Sequence, residues 1–384
     1  MPEFIFVLGK NAELSTAEIT SYLDARRVWF SICDRTDEFL VVSAGGLPET
    51  MHSDLGGTLK SGEILACAGS KEDILEFLDS VGWEKLAAGL PDKPLFTVSS
   101  YGAGHAGELM KRVKKNLKAV GIRAGMLTNK GLAASHTEVV RRGLAGREFL
   151  LCKGERFWLG RTVAAHDPFE FRKRDVGRPA QRVELSMPPR LARIMLNLSG
   201  RPGEVLDPFC GLGTVLQEAA LLGFRAHGSD VDSGIVGKAV ENMEWLKNNC
   251  QIKNPPEVER ADARNLPWPD GRFDAVVTEP VLGPALKSYP KARQAEAIVR
   301  KLGPLYRDSL KEMLRVLKTK GRMVMTSPMF RVHGEVHRLD VGGMARELGA
   351  GEIDVLEGKI PHRFPLTDFE PRHRTLREVH IIEK

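Results

Sequence analysis

The segment that most restricts the fold of this chain is a glycine-rich turn between a strand-like and a helix-like run, Asp207-Pro208-Phe209-Cys210-Gly211-Leu212-Gly213-Thr214. Glycines let a ligand approach the backbone closely, and the first turn of a helix presents N–H groups that have no intrahelical partner. Asp230 ends the next strand-like run, about 20 positions after the turn, where a carboxylate can accept hydrogen bonds from ribose hydroxyls. The turn therefore predicts a nucleoside-binding site.

The surrounding sequence alternates strand-like and helix-like runs, which is typical of a parallel sheet with helices on both faces. The last two strand-like runs follow each other directly and predict an antiparallel hairpin at one edge. The fold class is therefore α/β, with a Rossmann-like domain over residues 188–384. Predicted strands cover 225–230, 273–278, 322–326, 353–359 and 377–382, and predicted helices cover 190–198, 214–222, 233–248, 293–317 (interrupted at Gly303-Pro304) and 339–348.

The N-terminal part predicts two small α+β modules. In residues 1–90, a β-α-β-β-α order suggests a ferredoxin-like module, with a helix that begins at Ser15 because Glu18 completes a capping box. A strand, a basic helix and a hairpin suggest a second module over residues 91–165. Residues 166–187 are polar, carry two prolines and are predicted to be a linker. The predicted elements of the two modules are 4–8, 15–23, 28–32, 38–42, 71–81, 95–99, 106–120, 148–152 and 157–163.

The chemistry of the turn favours one nucleoside ligand over another. A dinucleotide fingerprint requires a third small residue where this chain has Leu216, and the charge of Asp207 would repel a pyrophosphate. A carboxylate suits a cationic amino group, so the better ligand is S-adenosylmethionine, which joins an amino acid to adenosine without phosphate. The predicted cofactor-binding residues are Asp207, Pro208, Phe209, Gly211, Gly213, Thr214, Asp230 and Val231, with Asp262 and Ala263 at the adenine edge.

The charge of the chain is concentrated in one block. The whole chain has 56 Lys+Arg and 50 Asp+Glu, whereas the stretch from Tyr101 to Arg182 holds 18 basic and 7 acidic residues. Such asymmetry points to a polyanion partner, although a solvated helix face would look the same. Four aromatic residues in this block could stack on bases or pack in a core: Phe157, Trp158, Phe169 and Phe171. The candidate RNA-binding residues are Lys111, Lys114, Lys115, Arg141, Arg142, Arg172 and Arg174, and a second basic cluster covers 361–364 and 372–374.

Several segments resemble one enzyme family. The turn at 207–214 resembles the first motif of amino-methylating nucleic-acid methyltransferases. Residues 188–198 resemble the preceding segment of THUMP-containing tRNA guanosine-N2 methyltransferases of the archaeal guanosine-10 type, and residues 160–163, 174–175 and 178–179 are similar to its approach. The resemblance implies S-adenosylmethionine-dependent methylation of the exocyclic N2 of a guanosine in tRNA, at position 10. It also implies that residues 91–165 are a THUMP-like RNA-binding module, and it leaves a small activator subunit and the oligomeric state open.

The segment that corresponds to the family's catalytic motif departs from the usual Asp/Asn-Pro-Pro-Tyr/Phe. Here the chain reads Thr278-Glu279-Pro280-Val281-Leu282-Gly283, so Thr278 stands in the acidic or amide place and Val281 in the aromatic one. The resemblance implies catalytic roles for Thr278, Glu279 and Pro280, and substrate contacts for the three residues that follow. In one interpretation Glu279 accepts hydrogen bonds from both the N1–H and the N2 amino group of guanine. In the other, the protein binds cofactor and RNA but methylates poorly; adenine-N6 methylation is a further alternative.

Cysteine use and hydropathy give expectations about the cellular environment. The five cysteines form no C-x-x-C pair, which favours a reducing cytoplasm with no metal site. No run of about 18 apolar residues is present, so a membrane span is not expected. The start, Met1 to Phe6, lacks a basic segment, so a secretory signal is not expected either.

Overall fold

The computed structural model describes residues 1–91, 93–104, 106–128, 131–181, 187–370 and 373–384. The strands are β1 Glu3–Leu8, β2 Phe30–Arg35, β3 Phe39–Ala44, β4 Thr58–Ala68, β5 Leu95–Tyr101, β6 Gly125–Met126, β7 Glu148–Lys153, β8 Phe157–Ala165, β9 Glu204–Asp207, β10 Arg225–Asp230, β11 Glu257–Arg260, β12 Phe273–Thr278, β13 Leu317–Val332, β14 Glu335–Arg338, β15 Gly351–Glu352, β16 Leu366–Asp368 and β17 Leu376–Glu383. The helices are α1 Ala12–Ala25, α2 Met51–Asp54, α3 Lys71–Ser80, α4 Trp83–Leu86, α5 Gly107–Ala119, α6 His136–Arg141, α7 Pro168–Val176, α8 Pro189–Leu198, α9 Thr214–Leu221, α10 Ser233–Asn249, α11 Ala292–Val316 and α12 Val341–Glu347. Within the described ranges, every helix is too short or too polar to cross a lipid bilayer.

The chain forms two compact units. The first comprises Met1–Ala12, Arg27–Ser53 and Thr58–Pro168, and the second comprises Glu13–Arg26, Asp54–Gly57 and Phe169–Lys384. In the first unit, the described strands form one sheet in the order β2-β3-β1-β4-β8-β7-β5-β6. Segments 1–90 and 91–165 both contribute to that sheet, and their assignment as ferredoxin-like and THUMP-like modules stays a prediction.

The second unit contains a sheet with the order β11-β10-β9-β12-β13-β17-β15, in which β14 and β16 pair with β13 and β17. The strands from β11 to β13 in that order are parallel, and β17 is antiparallel to β13. Side chains alternate between the two faces, so Val205 packs with α8 and α9 whereas its neighbour Leu206 packs with α11. Helices therefore cover both faces, and β9 ends at the carboxyl edge of the sheet.

The structure corrects two predictions near the N-terminus. Helix α1 begins at Ala12, and Ser15 lies inside it, where its hydroxyl donates to the Gly57 carbonyl oxygen at 2.9 Å. Glu18 accepts N–H groups of Gly56 at 2.6 Å and Gly57 at 2.7 Å. The serine and glutamate that suggested a capping box therefore bind a loop about 40 residues away instead of the end of their own helix. Strand β4 was not predicted at all.

Three further predictions fail in the second unit. The linker predicted over 166–187 contains α7, whose Arg174 donates to Glu218 of α9 at 2.7 Å; residues 182–186 lie outside the described residues. Pro304 lies inside the continuous α11, so Gly303-Pro304 does not interrupt it. The strand predicted over 353–359 is absent there, and the described edge strand is the two-residue β15.

Candidate cofactor and catalytic site

The glycine-rich turn connects β9 to α9, and its two glycines serve different purposes. Gly213 precedes α9 in the left-handed conformation (φ +84°), and a Cβ there would lie 2.7 Å from the Met243 Cε atom. Gly211 is also left-handed (φ +51°), but a Cβ there would meet no protein atom within 4 Å. The left-handed backbone favours glycine at both positions; a side chain at 213 would also displace the end of Met243, whereas Gly211 leaves open space beside the backbone that a ligand can use.

A cavity of about 340 Å³ lies between this turn and the segment after β12. Its lining residues from the cofactor side are Met187, Asp207, Phe209, Cys210, Gly211, Leu212, Thr214, Val215, Asp230 and Ile235, and those from the catalytic segment are Glu279, Pro280, Val281, Leu282 and Gly283. The structure thus brings the two predicted motifs, which are about 70 residues apart in sequence, to one cavity.

Half of the predicted cofactor residues line this cavity: Asp207, Phe209, Gly211, Thr214 and Asp230. The others do not: Pro208, Gly213, Val231, Asp262 and Ala263. The side chain of Asp262 instead binds Arg264, with 2.7 Å between Oδ2 and Nη2, and Val231 is 59% exposed. The sequence reasoning missed Ile235 in the first turn of α10 and Met187 before α8.

Asp207 is a carboxyl group of the cavity with a raised pKa. It is 2% exposed, and its Oδ1 accepts the Thr278 hydroxyl at 2.6 Å and the Phe209 N–H at 3.1 Å. The pKa of Asp207 is raised to about 7, mainly by burial and also by the charges of Asp230 and Glu279, whereas the two hydrogen bonds lower it. A cation placed beside Asp207 would favour its ionised form.

Asp230 connects the end of β10 to the turn. Its Oδ2 accepts the Gly211 N–H at 3.3 Å, and its Oδ1 accepts the Asp232 N–H at 3.0 Å. Because each carboxylate oxygen can accept a second hydrogen bond, the side chain retains acceptor capacity toward the cavity. This placement agrees with a role in binding hydroxyl groups.

The segment before α8 also braces the turn. Arg178 Nη1 donates to the Thr214 hydroxyl at 3.0 Å. Asn242 of α10 is fully buried; its Oδ1 accepts the Ala180 N–H at 2.9 Å, and its Nδ2 donates to the carbonyl oxygens of Ala180 at 3.1 Å and Leu212 at 2.9 Å. Asn242 therefore connects Ala180, in the segment predicted as a linker, to Leu212 in the cofactor turn. No local sequence pattern predicts this role.

Thr278 does not have the position that the family motif implied. It is fully buried, it does not line the cavity, and its hydroxyl is used by Asp207. Glu279 lines the cavity one residue later. The two neighbours point to different partners because side chains in extended backbone alternate in direction.

The carboxylate of Glu279 is held by two other side chains. Arg377 Nε donates to Oε2 at 2.6 Å and Arg377 Nη2 donates to Oε1 at 3.1 Å, while the Thr326 hydroxyl donates to Oε2 at 3.2 Å. The Tyr306 hydroxyl fixes the same segment by donating to the Val281 carbonyl oxygen at 3.2 Å. Val281 itself is 49% exposed, so its side chain offers an apolar surface at the cavity.

The basic residues of the first unit lie on its surface. On α5, Leu109, Val113 and Leu117 are buried, and the opposite face exposes Lys111, Lys114 and Lys115. Arg141 and Arg142 at the end of α6 are exposed as well. Trp158 is buried and donates from Nε1 to Asp34 at 2.7 Å, so it packs in the core and is not free to stack on a base.

In the second unit, Arg172 is exposed, but the prediction for Arg174 is wrong. Arg174 is 5% exposed and its guanidinium binds Glu218, so it is not available to a phosphate. The guanidinium groups of Arg174 and Arg193 lie 4.4 and 5.0 Å from the ring centre of Phe171, so this ring packs against them. In the second basic cluster, Arg363, His373 and Arg374 are exposed, whereas Arg372, like Arg182, lies outside the described residues.

Known proteins share both the domain and the fold. Residues 178–332 match the family model of the RMKL-like methyltransferase domain. A protein of Pyrococcus abyssi named tRNA (guanine(10)-N2)-dimethyltransferase is 25% identical over 85% of this chain and 88% of its own length. A protein of the same name from Methanothermobacter thermautotrophicus is 33% identical over 60% of this chain and 59% of its own length.

The solved structure of TrmN from Thermus thermophilus aligns with 100% of this chain and 99% of its own, with a TM-score of 0.55 and 19% identity. This likeness concerns the fold, and it confirms the predicted α/β architecture with a Rossmann-like domain. The predicted resemblance to the tRNA guanosine-N2 methyltransferases is confirmed by the two relatives.

Proposed function

We propose, from the match of residues 178–332 to the RMKL-like methyltransferase domain, that this chain methylates the exocyclic N2 of guanosine 10 in tRNA and uses S-adenosylmethionine as the methyl donor. The observation that carries the proposal is the single cavity that joins Asp207 and Asp230 to Glu279. The names of the relatives support the choice of substrate. We propose that it acts in the cytoplasm.

The residues of the cavity fit S-adenosylmethionine. The buried Asp207 would hold the cationic amino group, and Asp230 would accept the ribose hydroxyls. The open space beside Gly211 admits a ligand against the backbone, and Leu212 and Ile235 supply apolar walls. With three carboxylates (Asp207, Asp230 and Glu279) and no basic side chain among its described lining residues, the cavity suits a cationic ligand without phosphate.

When bound, S-adenosylmethionine supplies an electrophilic methyl group for direct transfer to the lone pair of the amino nitrogen. That lone pair is delocalised into the guanine ring, and an acceptor for the amino N–H helps to localise it. Glu279 offers such an acceptor at the cavity. Orientation of the amino group toward the donor supplies much of the remaining rate acceleration.

The tRNA would contact the exposed basic residues through its phosphates. Lys111, Lys114 and Lys115 project from one face of α5, and phosphate contacts of this kind set affinity and register without reading sequence. The target base must leave its helix to react, at a cost of a few kcal/mol. Val281 lacks a ring on which that base could stack.

The test is transfer of tritium from labelled S-adenosylmethionine to unmodified tRNA by the purified chain alone, followed by nucleoside mass spectrometry. We expect N2-methylated guanosine at position 10, and no product from a tRNA with adenosine at that position. Glu279→Ala should bind cofactor normally and transfer no methyl group. Label in N6-methyladenosine would replace the proposal with adenine methylation, and no transfer with any added partner subunit would favour an RNA-binding protein without turnover.

A further inference from the structure

The carboxylate of Glu279 has little acceptor capacity left. A carboxylate offers about four acceptor positions. Among the described residues, Arg377 occupies one on each oxygen and Thr326 occupies the second on Oε2. A single position on Oε1 therefore remains for a substrate. Glu279 cannot accept both the N1–H and the N2 amino group, as its residue type alone suggested.

Arg377 is itself rigidly placed. It lies on β17, in register with Pro328 of β13 on one side and with Asp368 of β16 on the other. Its side chain is 7% exposed, and its Nη1 lies 3.8 Å from Asp368 Oδ2. Two carboxylates, one on β16 and one in the segment after β12, thus hold the guanidinium, and the planar fork can match Glu279 in only one orientation.

We propose that Arg377 is a positioning residue, which holds Glu279 as an ionised acceptor whose one remaining position, on Oε1, receives a single N–H of the target amino group. This inference rests on the proposed function and adds to it a division of labour within the site. Arg377 does not line the cavity, so it acts through Glu279 and not on the substrate.

The charges around Glu279 explain why a cation is needed there. Asp207 at the end of β9 and Tyr306 on α11 both have raised pKa values, burial being the main cause and the Glu279 charge a further one. Asp368 stands behind Arg377. Without Arg377, Glu279 would keep the Thr326 hydroxyl but lose its cationic partner, so repulsion from the nearby acidic groups would be uncompensated.

The experiment measures kcat against pH, with saturating S-adenosylmethionine and unmodified tRNA, for wild type, Arg377→Ala and Arg377→Lys. We expect Arg377→Ala to lower kcat at neutral pH by about 100-fold, because a misplaced acceptor costs that much. The acidic limb of its profile should move to higher pH by at least about one unit. The kcat of Arg377→Lys should lie between those of wild type and Arg377→Ala, because an ammonium group keeps the charge but not the planar pair of donors. Cofactor affinity and KM for tRNA should change by less than about threefold, since neither site is touched.

The matched control is Arg338→Ala. Arg338 Nη1 donates to Glu378 at 2.8 Å, an ion pair of the same sheet that does not contact the catalytic segment. The Arg338→Ala variant should lose stability without a shift in the pH profile of kcat. An Arg377→Ala profile that follows the control overturns the inference while Glu279→Ala remains inactive and the proposed function stands. If Glu279→Ala is active, the role of Glu279 itself fails. If Arg377→Ala does not fold, an unshifted Arg377→Lys profile with wild-type kcat overturns the inference.

Discussion

The pKa of Asp207 makes cofactor affinity depend on pH. The carboxyl is buried and titrates at about 7, whereas the amino group of an amino acid stays protonated between pH 5 and 7. The binding-competent form is the ionised one, so the apparent Kd is the intrinsic Kd divided by the ionised fraction. That fraction is about one half at pH 7 and about one hundredth at pH 5. S-adenosylmethionine should therefore bind about fiftyfold more weakly at pH 5 than at pH 7.

Isothermal titration calorimetry at the two pH values measures this effect. The control ligand is 5′-methylthioadenosine, which keeps the adenosine and lacks the amino acid, so its Kd should stay nearly constant. The control variant is Asp207→Asn, which should bind the full cofactor weakly at both pH values. A change of less than about threefold for wild type, or an equal change for both ligands, would refute the assignment of Asp207 to the amino group.

The same pKa sets the sign of a stability effect. The pKa of Asp207 is raised from 3.8 in the unfolded chain to about 7 in the folded one, so its stabilising contribution is complete below pH 3.8 and is lost as pH rises through 7. Between pH 5 and 8 the loss is about 2 to 3 kcal/mol. Urea unfolding of wild type without cofactor should show this decline, and Asp207→Asn should show less of it. Equal slopes of stability against pH for the two proteins would contradict the raised pKa of Asp207 in the folded chain without cofactor.

Two further predictions concern the support of the site and the RNA. Asn242→Ala should lower the free energy of unfolding by about 2 to 4 kcal/mol and weaken cofactor binding, because it removes the contact with Leu212. The control Asn249→Ala, at the exposed end of the same helix, should do neither. Equal effects of the two variants in thermal denaturation and calorimetry would refute the bracing role of Asn242. Replacing Lys111, Lys114 and Lys115 together by alanine should weaken tRNA binding. In filter binding, the slope of log affinity against log salt concentration should decrease in magnitude by about 2. An unchanged slope would show that the RNA binds elsewhere.

The parts of the site that could be predicted are those whose signal is local. The turn at 207–214 and Asp230 are readable because a strand, a glycine pair and a helix start follow one another within a few residues. The alternation of elements predicted the sheet for the same reason. Helix α7 was not predicted because its contacts are ionic, through Arg174 and Glu218, and leave no apolar stripe in the sequence.

The parts that could not be predicted depend on partners that are distant in sequence. Arg377 lies 98 positions after Glu279 and Thr326 lies 47 positions after it. Each is an ordinary strand residue by type, and only the pairing of β12, β13 and β17 brings them together. Ser15 and Glu18 show the converse case, because a spacing that fits a capping box is used for a loop contact instead.

The change in the catalytic motif follows from one geometric constraint. Thr278 is the last residue of β12, and its hydroxyl reaches the buried Asp207, which needs a donor to offset its burial. An aspartate at position 278 would place a second buried carboxylate against Asp207, at a cost in electrostatic repulsion. Threonine at 278 supplies a hydrogen-bond donor to Asp207, and the carboxylate moves one residue on, where Arg377 can neutralise it. The departure from the family motif and the ion pair of Glu279 with Arg377 are therefore two parts of one arrangement.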